Sequence, residues 1–485
     1  MSAAKMTVSV EELKVLLPEL AGRVLVAGAG VSGVGITQLL REMGCAVTVA
    51  DSNSAQLDKL AQQTGCQTIS PADVVSDGFQ DYTVVVTSPG WRPDSPLLVA
   101  SQSAGLEVIG DVELVYRLDR AEVFGPKRTW MVVTGTNGKT TTTAMLAEIM
   151  QHSGARAAAV GNIGVSVADA VRTQPRIDVL VAELSSFQLH WSSTLVPDVG
   201  ILLNLADDHI DWHGSFAQYA QDKAKVLAAP TAIAGFDNGH VMTETTRIQR
   251  AEDADPIIGF TLGEPAKGMV GVRDGQLIDC AFGDNVVLRS AEGIEPAGPA
   301  GLYDALAAAA AARSMGVSAV CIEEALSKFE VAGHRGQCVG RHREVVAIDN
   351  SKATNPHAAD SALAGFSSVV WVAGGQLKGA EIDELIVRHA GRIKAVALLG
   401  VDRDVIEDSV RTHIPGIPVL SVSETDPRRA MDEAVAWSVS QAEAGDAIVL
   451  APAAASLDMY TGMGQRGDMF ATAIAQHLHD YHFCR

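Results

Sequence analysis

Aromatic residues make up only 5% of this 485-residue chain, and its six cysteines show neither a CxxC pair nor regular spacing. Cys45, Cys66, Cys280, Cys321, Cys338 and Cys484 are scattered, which excludes a disulfide framework or a thiolate zinc site. They are expected to be reduced and mostly buried thiols of a cytoplasmic protein. No uninterrupted apolar run reaches the roughly 18 residues a membrane span needs, so no membrane insertion is expected. Met1 to Val10 lacks the charged head and apolar core of an export leader. Basic residues are also short: 37 Lys and Arg stand against 58 Asp and Glu, a formal net charge of −21. That balance excludes a protein whose main partner is a nucleic-acid backbone. A nucleotide ligand stays allowed, because local backbone amides and one lysine can outweigh a distant acidic surface.

What the chain does have is apolar material, 47% of residues against 20% charged. At about 150 residues per domain, its length implies roughly three domains. The expected class is α/β with mainly parallel sheets: a Rossmann-like first domain (1–125), a central P-loop-type ATPase domain (126–333) and a Rossmann-like third domain (334–485). In the first, Arg23 to Ala27 reads as a strand, followed by Gly28, Gly30 and Gly33, a helical stretch Ile36 to Met43, and a strand Ala46 to Ala50 ending at Asp51. In the second, strands are expected over Thr129 to Thr134, Asp178 to Glu183 and Val199 to Leu203. Edge strands are expected between Pro256 and Ile294, and the alanine run Ala305 to Ala312 reads as a helix. In the third, Glu344 to Ile348, Val369 to Ala373, Ala395 to Leu399 and Ala447 to Leu450 are each followed by small or polar residues. Ligands of open parallel sheets gather at the carboxyl ends of strands, so those trailing residues are where chemistry belongs.

Gly28, Gly30 and Gly33 form a GxGxxG that suits close approach of a diphosphate to a helix N-terminus, with Asp51 at ribose distance. A dinucleotide such as NAD, another diphosphate, or a tight turn that binds nothing all remain open on this motif alone. Gly135-Thr136-Asn137-Gly138-Lys139-Thr140 is sharper. Val133 replaces the first glycine of a full Walker motif, yet the turn still offers amides to phosphate, Lys139 to neutralise charge and Thr140 to ligate magnesium. Glu183 closes a strand where a metal-holding acid would stand, and Asp207-Asp208-His209 follows the next strand. Lys223 and Lys225 lie in an amphipathic stretch, Phe216 to Leu227, and read by default as a solvated helix face. Asn350, Ser351, Lys352, Thr354 and Asn355 crowd one strand-to-helix loop, Lys378 follows Gly374-Gly375, and Ser456 follows Ala453 to Ala455. Single cations among small residues suit an anionic small molecule.

Together these segments resemble the Mur ligase family. The resemblance runs from Gly28 to Arg466 and rests on GTNGKTTT (135–142), GHR (333–335), GNIG (161–164), ELSSFQL (183–189), DHID (208–211), SKATN (351–355) and APAAASLD (451–458). It implies an ATP-dependent ligase that adds D-glutamate to UDP-N-acetylmuramoyl-L-alanine through an acyl phosphate, with ATP and two magnesium ions, and a monomer is expected. By resemblance, Val31, Ser32, Asp51, Ser88, Gly90 and Asn162 belong to the UDP-substrate site. Gly135, Thr136, Asn137, Gly138, Lys139, Thr140, Thr141, Arg335 and Asn350 match ATP positions. Thr140, Glu183, His209 and Lys223 match metal positions, Lys223 as a carbamylated lysine, and Lys139, His209 and Lys223 are the implied catalytic groups. Lys352, Thr354, Lys378, Ser456 and Leu457 match the D-glutamate pocket. Departures from the family pattern are Ala300-Gly301, Asn350, Asn53 and Met463.

Overall fold

The computed structural model describes residues 6–251, 254–330 and 333–478, except for the side chain of His357; Cys484 lies outside them. The chain divides into two compact units, Met1–Arg289 with Leu306–Leu326, and Ser290–Ala305 with Ser327–Arg485. No helix among the described residues is long and apolar enough to cross a membrane.

The first unit holds two sheets. One is five-stranded and parallel, built from β1 (Arg23–Ala27), β2 (Ala46–Ala50), β3 (Gln67–Ile69), β4 (Tyr82–Thr87) and β5 (Glu107–Gly110), in the order β3-β2-β1-β4-β5. The other has nine strands: β6 (Thr129–Thr134), β7 (Ala157–Gly161), β8 (Val179–Glu183), β9 (Val199–Leu202), β10 (Thr231–Gly235), β11 (Ile258–Phe260), β12 (Met269–Arg273), β13 (Gln276–Asp279) and β14 (Val286–Ser290). Their order, β14-β13-β12-β11-β10-β9-β6-β8-β7, puts β6 between β9 and β8. The segment read as edge strands does form that edge. The second unit has a six-stranded sheet of β15 (Gln337–His342), β16 (Val345–Asp349), β17 (Val369–Gly374), β18 (Ile393–Leu399), β19 (Val419–Ser421) and β20 (Ala447–Leu450), ordered β15-β16-β20-β17-β18-β19.

The mainly parallel α/β class is borne out, and the reason is visible in burial. All five residues of β8 and all six of β17 are buried, so both faces are covered and the strands read as continuous apolar runs rather than alternating ones. Two expectations need correction. The helix expected from Ile36 begins at Val31, because Gly30 caps it and Gly33 lies in its first turns; a β-carbon at Gly33 would sit 1.8 Å from the Gly28 carbonyl oxygen. The thiols are not mostly buried: Cys45 and Cys66 are, but Cys280 and Cys321 are half-exposed and Cys338 is exposed. Cys338 lies on β15, the edge strand of its sheet, which pairs with β16.

The two sheets of the first unit are joined through the helix Asp111–Arg120. Glu113, fully buried, accepts from Arg117 Nε (2.9 Å), Thr194 N (3.0 Å), Thr194 Oγ1 (2.6 Å) and Leu195 N (3.2 Å). Further along, Asp119 accepts from Arg128 Nη1 (2.8 Å) and from the indole of Trp130 on β6 (3.0 Å). Removing Glu113 strands several donors away from water. Glu113→Ala is therefore expected to cost about 3–5 kcal/mol, read as a lower urea midpoint for this unit, while Glu122→Ala on the surface leaves the midpoint unchanged.

Candidate functional site

At the first sheet, β1 and β4 flank the point where strand order reverses. Asp51 is tied into the turn: Oδ2 accepts from Ala29 N at 2.7 Å and Oδ1 from Asn53 N at 2.9 Å. Val31 is 90% exposed at the helix start, whereas the buried Ser88 hydroxyl has no hydrogen-bond partner among the described residues. Gly28 leaves room for that hydroxyl, since a β-carbon there would lie 2.6 Å from Ser88 Oγ. Gly90 faces open space. Buried Asp111, two elements away in sequence, accepts from the Val112 amide at 2.9 Å and from Ser32. Burial pushes its carboxyl up to about 6.

The carboxyl ends of β6, β8, β7 and β9 converge. Glu183, 2% exposed, accepts from Thr140 Oγ1 at 2.7 Å and from Asn162 Nδ2 at 2.9 Å. Lys139 opens the helix Lys139–His152 after Gly138, which takes a left-handed φ of 83°. Its ammonium folds over the turn and donates to the carbonyls of Gly135 (2.9 Å) and Thr136 (2.7 Å). Asn137 is held by Asn204 through its amide (2.8 Å) and carbonyl (3.1 Å). Thr136 Oγ1 meets Tyr219 Oη at 2.8 Å, and Thr141 is buried in the first helical turn.

Lys223 is not on a solvated face. It is 2% exposed, donates to Gly135 O at 2.8 Å, and sits 4.9 Å from the centre of the Tyr219 ring. Burial, with the Lys139 charge beside it, holds its pKa well below the ordinary lysine value. Lys225, by contrast, is partly exposed and donates to the Leu189 carbonyl at 2.7 Å. His209 takes a left-handed φ of 53° and packs against Phe187, ring centres 4.7 Å apart. Burial lowers its pKa against the opposing pull of Asp208. Ser32, Lys139, Asn162, Asp208, His209 and Lys223 all line one cavity of about 440 Å³.

In the second unit, the loops after β16, β20 and β17, which are neighbours in the sheet, carry Lys352 and Thr354, Ser456 and Leu457, and Lys378 respectively. Gln376 and Ala455 pair through backbone bonds of 2.8 and 2.9 Å, joining two of these loops. Arg466, fully buried, holds the third: it donates to Ser351 Oγ (3.0 Å), Ser351 O (2.8 Å), Ala454 O (3.1 Å) and Gly374 O (3.3 Å). Leu457 is 67% exposed and Lys378 adopts a left-handed φ of 54°. His334, between Gly333 and Arg335, pairs with Asp349 at 2.6 Å, one residue before Asn350. Gly301 has its own reason: a β-carbon there would meet the Pro296 carbonyl at 1.8 Å, so no larger residue fits.

Asn204, Tyr219 and Arg466 were not singled out from sequence. Asn204 could have been, because it directly follows the strand expected over Val199 to Leu203. Tyr219 and Arg466 act through contacts far along the chain, which no spacing reveals.

These are the parts of an α/β enzyme that binds a nucleoside triphosphate. The Mur ligase MurD-like N-terminal domain matches residues 22–110, the Mur ligase middle domain residues 133–312, and the Mur ligase glutamate ligase domain residues 334–454. The chain belongs to the Mur ligase family. It is 56% identical to the UDP-N-acetylmuramoylalanine--D-glutamate ligase of Corynebacterium efficiens, over 96% of either chain. To the ligase of the same name from Mycolicibacterium smegmatis it is 44% identical, covering 93% of this chain and 96% of that one. Its fold is similar to that of the UDP-N-acetylmuramate-alanine ligase MurC of Thermotoga maritima (TM-score 0.57, 17% identity, 94% of this chain and 99% of that one). It is likewise similar to MurF of Acinetobacter baumannii (TM-score 0.59, 14% identity, 97% and 99%).

Asp111 makes this site pH-sensitive in stability. The native chain keeps this proton up to about 6, whereas the unfolded chain releases it near 3.8, so between those values the native state binds more protons. Stability from this group therefore falls as pH rises through that window, by about 3 kcal/mol in all. Asp111→Asn is expected to flatten that part of the profile and to be the more stable form at pH 7.5, measured by urea unfolding of both proteins at half-unit steps from pH 4 to 7.5.

Proposed function

We propose that this chain is the ATP-dependent ligase that joins D-glutamate to UDP-N-acetylmuramoyl-L-alanine, in peptidoglycan precursor synthesis in the cytoplasm, acting as a monomer. The observation that carries this reading is one cavity shared by the phosphate-turn lysine, Lys139, the Glu183 partner Asn162, and the pair His209 and Lys223. The 56% identity to a curated ligase of that name along nearly the whole chain supports the choice of amino acid.

A carboxylate is a poor electrophile. Its oxygen attacks the γ-phosphorus of ATP, ADP leaves, and the resulting acyl phosphate carries a leaving group. The amine of D-glutamate then attacks the acyl carbon, phosphate departs and the amide remains. Amides from Gly135 to Thr141 cradle the triphosphate, and the ammonium of Lys139 offsets its charge. Ser32, Asp51, Ser88, Gly90 and Val31 hold the UDP end, and the unpartnered Ser88 hydroxyl fits a ligand oxygen. Asn162 and His209 face the muramoyl-alanine end. Arg335 and Asn350 serve ATP, and Lys352, Thr354, Lys378, Ser456 and Leu457 serve D-glutamate.

The donors fit magnesium: a hydroxyl from Thr140 and a carboxylate from Glu183 form one hard-oxygen set, with His209 and a carbamate on Lys223 as a second. Bound there, magnesium would offset the charge brought together by triphosphate and carboxylate. The depressed pKa of Lys223 raises the share of its amine that is neutral, and a neutral amine is the form that adds to carbon dioxide, releasing a proton as the carbamate forms.

The test is phosphate release from ATP with UDP-N-acetylmuramoyl-L-alanine, comparing D-glutamate with L-glutamate, L-alanine and a diamino acid. Release that requires D-glutamate is expected. Release with another amino acid keeps the family and rejects this substrate, and nucleotide binding without release points to a regulator. Lys139→Ala is expected to lower kcat by about 10²–10³, and stripping dissolved carbon dioxide to lower the rate until bicarbonate is restored.

A further inference from the structure

Behind the cavity wall lies a buried hydrogen-bonded chain that no step above uses. The helix Phe216–Ala224 presents Lys223 to the phosphate turn and its neighbour Asp222, 1% exposed, the other way. Asp222 Oδ2 lies 3.1 Å from His213 Nδ1 and 2.8 Å from His190 Nδ1, and Oδ1 lies 3.2 Å from Lys225 Nζ. On its far side, His213 Nε2 is 2.9 Å from Ser186 Oγ. Ser186 lines the cavity, one residue before Phe187. The Phe187 ring stacks on His213 (5.7 Å between centres, planes within 14°) and meets His209 at 4.7 Å.

We propose that Asp222 and His213 are a positioning pair for the reaction: together they orient the Ser186 hydroxyl and back the Phe187 ring against which His209 packs. The chemistry fixes the direction. A carboxylate accepts only, so Nδ1 of His213 carries a proton, and in the neutral imidazole Nε2 is then left as an acceptor. Ser186 must then donate to Nε2, which leaves its lone pairs free to accept from a substrate N–H or from a metal-bound water. With both imidazoles and Lys225 donating to it, Asp222 has three partners and little reason to move. The same three side chains, His190, His213 and Asp222, bring one ligand atom each within 4.8 Å, as a metal site would. The ammonium of Lys225 on Asp222 favours the hydrogen-bonded chain.

This inference rests on the ligase reading, and the experiment separates the two. In the full-length protein, Ser186→Ala, His213→Phe and Asp222→Asn are each expected to lower kcat in the phosphate-release assay by about 10–100-fold, with the KM for ATP within about twofold. The Ser186→Ala/His213→Phe double variant should be no slower than the slower single one, because both break one chain. Unchanged kcat with only a lower melting temperature, or losses that multiply, would overturn the pairing. Should His213→Phe fail to fold, His213→Gln replaces it in the same cycle. Imidazole ¹⁵N shifts need no turnover: a proton on Nδ1 of His213, lost in Asp222→Asn, is expected, and a proton on Nε2 overturns the relay. Wild-type protein without turnover sinks the ligase reading and leaves the tautomer to decide this one. Stoichiometric binding of Zn²⁺ alone that disappears in Asp222→Asn would also overturn the proposal, making the three side chains a ligand set.

Discussion

A carboxylate at the end of a strand buried on both faces has to be met by donors, and Glu183 is met by two that arrive from different loops. Thr140 comes from the phosphate turn after β6 and Asn162 from the glycine-flanked loop after β7. Leaving either oxygen bare would cost several kcal/mol in so dry a place. The requirement is therefore geometric as well as energetic. It brings the β6 and β7 loops onto the end of β8, where Lys139 and Asn162 line the cavity together with Ser186, His209 and Lys223 from other segments. Gly161 shows how tight the fit is, since a β-carbon there would lie 2.5 Å from the Glu183 carbonyl oxygen.

The strands of this fold are legible in the sequence because parallel strands buried on both faces leave unbroken apolar runs. Thr129–Thr134, Ala46–Ala50 and Ala447–Leu450 fall where those runs lie. The turn Gly135 to Thr140 was legible for a different reason: glycines, lysine and threonine at fixed spacing shape it locally. Lys223 was not legible from its own surroundings. An amphipathic helix with lysines at alternate positions looks solvated on both, and only the tertiary structure turns Lys223 inward and Lys225 outward. Family resemblance singled it out, and burial supplies the physical reason that resemblance lacked. The Asp222 chain escaped for the same cause, since its two ends, Ser186 and Asp222, lie 36 residues apart.

The second unit reaches a similar end by another route. Its loops are tied not by a carboxylate but by Arg466, whose planar guanidinium spreads donors across Ser351, Gly374 and Ala454. A lysine could not span three loops with a single nitrogen. Burial lowers the pKa of Arg466 to about 10, which still leaves it charged at neutral pH, so the tie does not loosen where a cell operates.

The acidic character of the whole chain and the anionic character of its proposed substrates are compatible once distance is considered. A net charge of −21 is spread over a surface of 20127 Å² and acts through water and salt, where it fades within about 8–10 Å. Inside the cavity the balance is set by groups at contact range: the ammonium of Lys139, the turn amides and the helix N-terminus behind them. Short range and low dielectric let these few groups dominate. On the proposed reading, the acidic exterior works with the site, because it repels polyanions too large to enter while leaving a small triphosphate to be held by the turn. For the proposed ligase, selectivity for small anions over nucleic acid would follow from where the charges lie, not from their sum.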